Sequence, residues 1–305
     1  MPVDQRALDD LTDFARIERA SRDIEPWAEV LMVAGQQMTP EEHAWLVKLY
    51  NAYDDLGSAA QMLELWPNPN SWLLGGDRRI AGQLPIGGER RNLRGPVNMI
   101  KHLNSYANAV SGWRQAEWLR EGFPGAADPS SRFDALMAYM RRYIWGTGRL
   151  AAFEWAEFAG KSLGLPVKAG NGCLWESSGP RESLERIYNG GERASDPQQL
   201  DLWAYRVHLH LNAHGVPLDW WDLETVICDF NVMRKGRYYP GKHIAMIREE
   251  IDGLPADMET AKTLDWALSM VLPEPWISVK PGADKALEHA YADTGHIYTP
   301  FGLVR

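Results

Sequence analysis

"WDLETVICDFNVMRKGRYYPGKH", from Trp221 to His243, reads as one helix that runs into a cationic turn. Asp219 stands just upstream, where an N-cap belongs. At 100° per residue, Trp220, Leu223, Val226, Ile227 and Phe230 cover one face, and Asp222, Thr225 and Asp229 lie opposite. Strands need alternation at period two, and this segment has none. Glu224 falls on the border of the apolar face, about 40° from Trp220. After the helix, five Arg or Lys lie between Arg234 and Arg248, and no Asp or Glu follows until Glu249.

The same helical signals extend in both directions. Leu8, Leu11, Phe14, Ala15 and Ile17 recur at helical spacing over residues 4–20. Thr39 with Glu42 forms a capping-box pattern ahead of a helix to about Leu56, and Ser58 with Gln61 forms another. Pro96 opens a helix expected to reach Arg120. Ser131 is read as the cap of a helix to Tyr143, and Thr147 as the cap of one to Leu163. Asp196 and Pro197 fit N-cap and N1 of a helix reaching His214, and a last helix is expected over about 257–271. The fold class is therefore all-α, multi-helical, with about a dozen helices. The stretch 66–95 carries no pattern and reads as a long loop rich in Gly, Pro and Arg. The chain reads as one helical catalytic domain over 1–305, with a division into two lobes near 125 as the alternative.

Composition bounds the function. The chain has 305 residues, 45% hydrophobic and 24% charged, which suits a globular protein able to bury a full core. Fourteen Trp imply a thick aromatic core or a ring-stacking pocket. The net charge of -9 argues against a general nucleic-acid coater, yet a local basic patch still acts within a Debye length. Cys173 and Cys228 stand far apart without a CxxC, so no disulfide framework or cysteine zinc site is expected. The charged start MPVDQRALDD shows no signal peptide, and no apolar run is long enough to span a membrane. A cytoplasmic protein without membrane association is expected.

Several residues carry chemistry. A carboxylate at the edge of an apolar face is partly desolvated, which raises its pKa and suits a general base; Glu224 is the first candidate and Asp229 the second. The plain alternative is an ion pair in the core. Arg234, Arg237 and Lys242 can grip phosphate oxygens beside Gly236 and Gly241, while Tyr238 and Tyr239 can stack on a base. The alternative is a solvated basic turn. Arg181, after Ser178 and Pro180 at a helix start, marks a possible anion site, and simple capping explains it equally. Arg16 and Arg19 lie one turn apart in "FARIERASRDI" around Glu18, and "YNAYDD" offers Asn51, Tyr53, Asp54 and Asp55; both can be plain surface. "GLPVKAGNG" loosely matches a helix-hairpin-helix turn. His210 and His214 are i,i+4, but no acidic third ligand is near in sequence, so no metal is assigned. P-loop, Rossmann, GxSxG and HExxH motifs are absent from the sequence.

"LETVICDFNVMRKGRYYPGKHI", with "FARIERASRDI", "YNAYDD" and "WGTGRLAAFEWAEFAG", resembles the amino acid:DNA transferases, also called α-glutamyl/putrescinyl thymine pyrophosphorylases, of phage DNA hypermodification. The resemblance implies a helical bundle akin to DNA glycosylases and a substrate of modified double-stranded DNA. Its implied reaction replaces the pyrophosphate of a pyrophosphorylated 5-hydroxymethyluracil with an amino acid or polyamine. No cofactor is implied, because the substrate arrives activated, and a phage-encoded chain would work in the host cytoplasm. Two alternatives stand beside it: a glycosylase-like enzyme that excises a base, and a non-enzymatic helical phage protein that binds DNA.

Overall fold

A computed structural model describes residues 3–110, 114–121 and 128–304; the division expected near 125 lies outside them. The helices run α1 (Gln5–Ser21), α2 (Pro26–Ala34), α3 (Pro40–Tyr53), α4 (Leu56–Leu65), α5 (Pro69–Leu74), α6 (Pro96–Ala109), α7 (Gln115–Glu121) and α8 (Pro129–Tyr143). They continue as α9 (Arg149–Lys161), α10 (Gly179–Asn189), α11 (Pro197–Ala213), α12 (Trp220–Arg234), α13 (Lys242–Asp252), α14 (Glu259–Val271) and α15 (Lys285–Thr294). The only strands among the described residues are β1 (Tyr298–Thr299) and β2 (Gly302–Leu303), paired antiparallel. The protein is all-α, as its periodicity indicates. No helix among the described residues is long and apolar enough to cross a membrane.

The chain forms two compact units. The first comprises residues 1–26, 170–249 and 272–305, the second 27–169 and 250–271. In the first unit α12 packs against α1, α10 and α15. It is therefore buried on more sides than its wheel implies: Glu224, Asp229 and Asn231 lie inside alongside Leu223, Val226, Ile227 and Phe230. The polar face expected to meet solvent is partly enclosed, because three neighbours surround one helix. Gly179 lets α10 come close, since a Cβ there would sit 2.7 Å from Cys228 Sγ.

The second unit is built on aromatic packing. Trp45 stacks on Tyr106, and Trp155 meets the Tyr106 ring edge-on. The Thr39–Glu42 capping box starts α3 as read. Other boundaries moved. Asp54 adopts a left-handed conformation that ends α3, so Asp55 rather than Ser58 caps α4. Asp128, ahead of Pro129, caps α8 and accepts from Ser130 and Ser131 N–H. The single helix expected from Pro96 ends at Ala109, and α7 starts again at Gln115, where the Glu41 carboxylate receives the first two N–H groups. α9 starts at Arg149 after Gly148 rather than at Thr147. The stretch 66–95 is no open loop: it holds α5 and 3-10 turns at 78–82 and 88–93. Asn51 and Tyr53, candidates for plain surface, are buried, and Tyr53 donates to the Ala81 carbonyl.

Phe230 is fully buried, 5.8 Å from Phe14 ring to ring. Phe230→Ala is expected to cost about 3–5 kcal/mol of stability through lost burial and a cavity, read as a lower urea midpoint.

Candidate functional site

The end of α1, the middle of α12 and the turn into α13 bring three carboxyl groups together. Glu18 occupies the last full turn of α1, in register with Leu11, Phe14 and Ala15 on the buried face. Arg22 closes the helix in a left-handed conformation, which turns Asp23 inward. Asp23 then caps another helix from outside: its carboxylate accepts from Gly241 N–H and, at 2.8 Å, from Ile244 N–H, at the opening of α13. Gly241 meets the positive φ of 101° this turn demands. The Tyr238 hydroxyl lies 2.8 Å from Asp23 Oδ2 and 3.1 Å from Glu18 Oε2. His243 Nδ1 donates to the Asp23 carbonyl at 3.0 Å and stands 3.8 Å from Asp229 Oδ2.

Burial dominates the electrostatics. It raises Glu18 well above the carboxylate range, and the nearby charges of Asp23 and Asp229 push further in the same direction. Burial also pushes Asp23 up to about 7, against the Gly241 and Ile244 N–H groups that hold it down. The two carboxyls share a hydrogen bond and therefore one proton, which rests on Glu18, the member with fewer donors. Burial pulls His243 down to about 4, so its imidazole is neutral at pH 7. Glu18 and Asp23 are sealed, whereas Asp229 is 8% exposed and forms the accessible edge. The Glu18 Oε1 atom has no hydrogen-bond partner among the described residues.

The residues read from the sequence divide around this cluster. Asp229 and Tyr238 belong to it. Tyr238 is a buried hydrogen-bond hub rather than a stacking surface, packed edge-on against Phe14 and His243. Tyr239 and Trp221 are buried too, and the Tyr239 hydroxyl accepts from Asp284 N–H. Glu224 is 7% exposed on the same helix, five residues before Asp229 and so about 140° away around it. Lys242 is tied to Glu288 at 2.7 Å and to the Arg237 carbonyl. Lys235 pairs with Glu182. Arg181 pairs with Glu185 and lies over Trp175. Arg16 pairs with Asp13. Arg234 is half-buried against Phe230, with Nη1 unpartnered among the described residues. Arg19 and Arg237 are exposed, with no ion pair among the described residues, and they flank the Glu18–Tyr238 contact along the chain.

The histidine run is spent locally. His208 Nε2 is 2.9 Å from the Leu218 carbonyl, His210 Nε2 is 3.1 Å from Thr12 Oγ1, and His214 Nδ1 donates to the His210 carbonyl. No group of three or more His, Cys, Asp or Glu among the described residues is arranged to hold a metal ion. The loop 164–172 does not turn into a second helix, because α10 starts only at Gly179. Sequence reasoning missed Asp23 and His243, and mentioned Glu18 only as a neighbour of two arginines. The signal for Glu18 was present: residues 11, 14, 15 and 18 define one buried stripe, and an acid occupies its last position.

The sequence model of the amino acid:DNA transferase family matches residues 18–239, which begins at Glu18 and ends one residue past Tyr238. The chain belongs to that family, and so it is an enzyme, a transferase that modifies DNA with an amino acid as the second substrate. Base excision and a purely non-enzymatic role give way to this assignment. No curated protein sequence matches the chain.

Glu18 and Asp23 are both held above their unfolded values, so their protonated forms favour folding. That stabilisation is complete below about pH 4 and is lost as pH rises, through about 7 for Asp23. Glu18→Gln keeps a neutral group at all pH values. Its stability relative to wild type is expected to improve by about 1 kcal/mol or more between pH 5 and 8 in urea titrations. A pH-independent difference would show that the pair does not hold a proton.

Proposed function

We propose that this member of the amino acid:DNA transferase family replaces the pyrophosphate on a 5-hydroxymethyluracil base with an amine, and that Asp229 receives the amine's proton. The observation that carries the reading is the meeting of Glu18 and Asp23 at the Tyr238 hydroxyl, with the Asp229 charge close by and with Arg19 and Arg237 next in the chain to Glu18 and Tyr238. The amino group arrives as an ammonium ion, and the carboxyl cluster attracts it. Inside a low-dielectric site the pair of an ammonium and a carboxylate relaxes toward a neutral amine and a carboxylic acid. Burial at this cluster raises Glu18 and Asp23.

The amine nitrogen then attacks the 5-methylene carbon of the base. A C–N bond forms, the C–O bond to pyrophosphate breaks, and the proton passes to the carboxyl cluster and on to solvent. Charge builds on the departing pyrophosphate, and guanidinium groups stabilise it there. Arg237 and Arg19, exposed and without an ion pair among the described residues, are our candidates for this role, with Arg234 third, whereas Lys242 and Lys235 are committed to carboxylates. The buried Tyr238, Tyr239 and Trp221 are not available to hold the base. Glu224 is the second candidate for the base.

The test is direct. The protein is mixed with duplex DNA containing pyrophosphorylated hydroxymethyluracil and with all amino acids and common polyamines, and digested nucleosides are weighed by mass spectrometry. A new nucleoside with one pyrophosphate released per adduct is expected; no adduct from any amine refutes the reading. Asp229→Asn is expected to lower turnover about 10²–10⁴-fold while DNA affinity holds. Full loss in Glu224→Gln with Asp229→Asn active would move the base to Glu224.

A further inference from the structure

In the second unit, two stretches stand out against an acidic chain. No Asp or Glu lies between Glu89 and Glu117, nor between Asp134 and Glu154, although the chain holds 41 of them. The two stretches are joined in space. Asn92 Nδ2 donates to the Gly146 carbonyl at 2.8 Å, and Trp145 N–H donates to Ser105 Oγ at 2.9 Å. A Cβ on Gly146 would come within 2.8 Å of Leu93, so the turn at 145–147 is seated closely on the 88–93 segment.

The surface they share is cationic and aromatic. Arg91, Arg94, Lys101 and Arg142 are exposed, and none has an ion pair among the described residues. Trp145 is 41% exposed and Tyr143 53%. Lys101 Nζ lies 5.5 Å from the Trp145 ring and the Arg142 guanidinium 5.2 Å from the Tyr143 ring. A ring orients a cation without neutralising it, so these charges stay available to phosphates.

The exposed Trp is pinned from beneath. His102, itself buried, meets the Trp145 carbonyl through Nδ1 at 2.7 Å. A carbonyl only accepts, so Nδ1 carries the hydrogen and Nε2 is an acceptor. Lys48 Nζ donates to it at 2.9 Å and to Asn51 Oδ1 at 3.0 Å. Lys48 is fully buried beside the Tyr106 and Trp155 rings, and burial pulls its pKa well below the ordinary lysine range. A solvent turn could satisfy its carbonyl with water. Here a buried His, itself held by a buried Lys, takes it instead, which fixes the backbone from which the Trp145 ring projects.

We infer that this face binds duplex DNA, with Lys101, Arg142, Arg91 and Arg94 on phosphates and Trp145 stacking on a base exposed where the duplex opens. The inference rests on DNA being the polymer this family modifies. Guanidinium and ammonium groups interleaved with flat exposed rings match a polymer of phosphates and bases.

The test uses labelled, unmodified duplex and fluorescence anisotropy, so it needs no turnover and its failure is separate from failure of the transfer reaction. Lys101→Glu with Arg142→Glu is expected to weaken duplex binding about tenfold or more and to reduce the slope of log affinity against log salt by about two. Trp145→Ala is expected to keep that slope but lose a preference for a duplex with one mismatched pair over a fully paired one. Arg193→Glu, an exposed reversal in the first unit, should leave binding unchanged. The proposal is overturned if the double variant binds duplex like wild type. It is equally overturned if Arg193→Glu weakens binding as much, or if the double variant loses binding only to phosphatidylserine vesicles.

Discussion

The Asp23 carboxylate ties the first unit together. It follows the left-handed end of α1, accepts the N–H groups that open α13, and receives the Tyr238 hydroxyl from the turn after α12. Helix openings leave backbone N–H groups without partners, and a carboxylate from another segment is a strong answer to that need. One short side chain thereby fixes three helix ends relative to one another. Glu18 joins through the same hydroxyl, which means that a second acid must be buried next to the first. Two sealed carboxylates cannot both ionise at low cost, so the pair keeps a proton. The shared proton follows from how the helices are joined.

Much of the fold was legible. α3, α11 and α12 start where their caps stand in the sequence, and α1 lies where its apolar spacing runs, because an N-cap and a periodic apolar stripe are local properties. Errors arose where tertiary partners decide. Glu41 starts α7 from far along the chain, and Glu250 Oε2 accepts from Leu56 N–H at the start of α4. α12 has nearly uniform burial because α1, α10 and α15 surround it, and no wheel drawn for one helix contains its neighbours. The long 66–95 stretch folds into short turns whose hydrogen bonds go to distant groups, such as Ser58 Oγ to the Pro85 carbonyl.

The candidate site was legible only in part. Asp229 and the cations around Arg237 stood out because charge was concentrated after an apolar helix. Asp23 was invisible, since a lone acid after a helix looks like any loop acid until α13 is seen to start beneath it. Tyr238 and Tyr239 read as stacking rings because aromatic residues between glycines are common at surfaces. Positive φ at Gly236 and Gly241 instead folds the turn inward and buries both rings.

Each unit buries polar groups, and the two sets carry opposite character. The first encloses Glu18 and Asp23, whose carboxyls meet the Tyr238 hydroxyl and backbone N–H groups rather than a cationic side chain among the described residues. The second encloses Lys48 and Arg90, the latter donating to the Asn51 carbonyl at 2.7 Å and pairing with Glu154. A buried ionisable group without a full counter-ion is destabilising, and a fold maintains it only where the surrounding structure over-determines it. A transferase that joins an amino acid to DNA handles a cationic nucleophile and a polyanionic acceptor. A carboxylate able to accept a proton is needed where the ammonium is deprotonated, and a cationic surface where phosphates lie. The cations of the second unit lie outside, Lys101 beside the Trp145 ring and Arg142 beside the Tyr143 ring, so an acidic chain still carries a local positive surface.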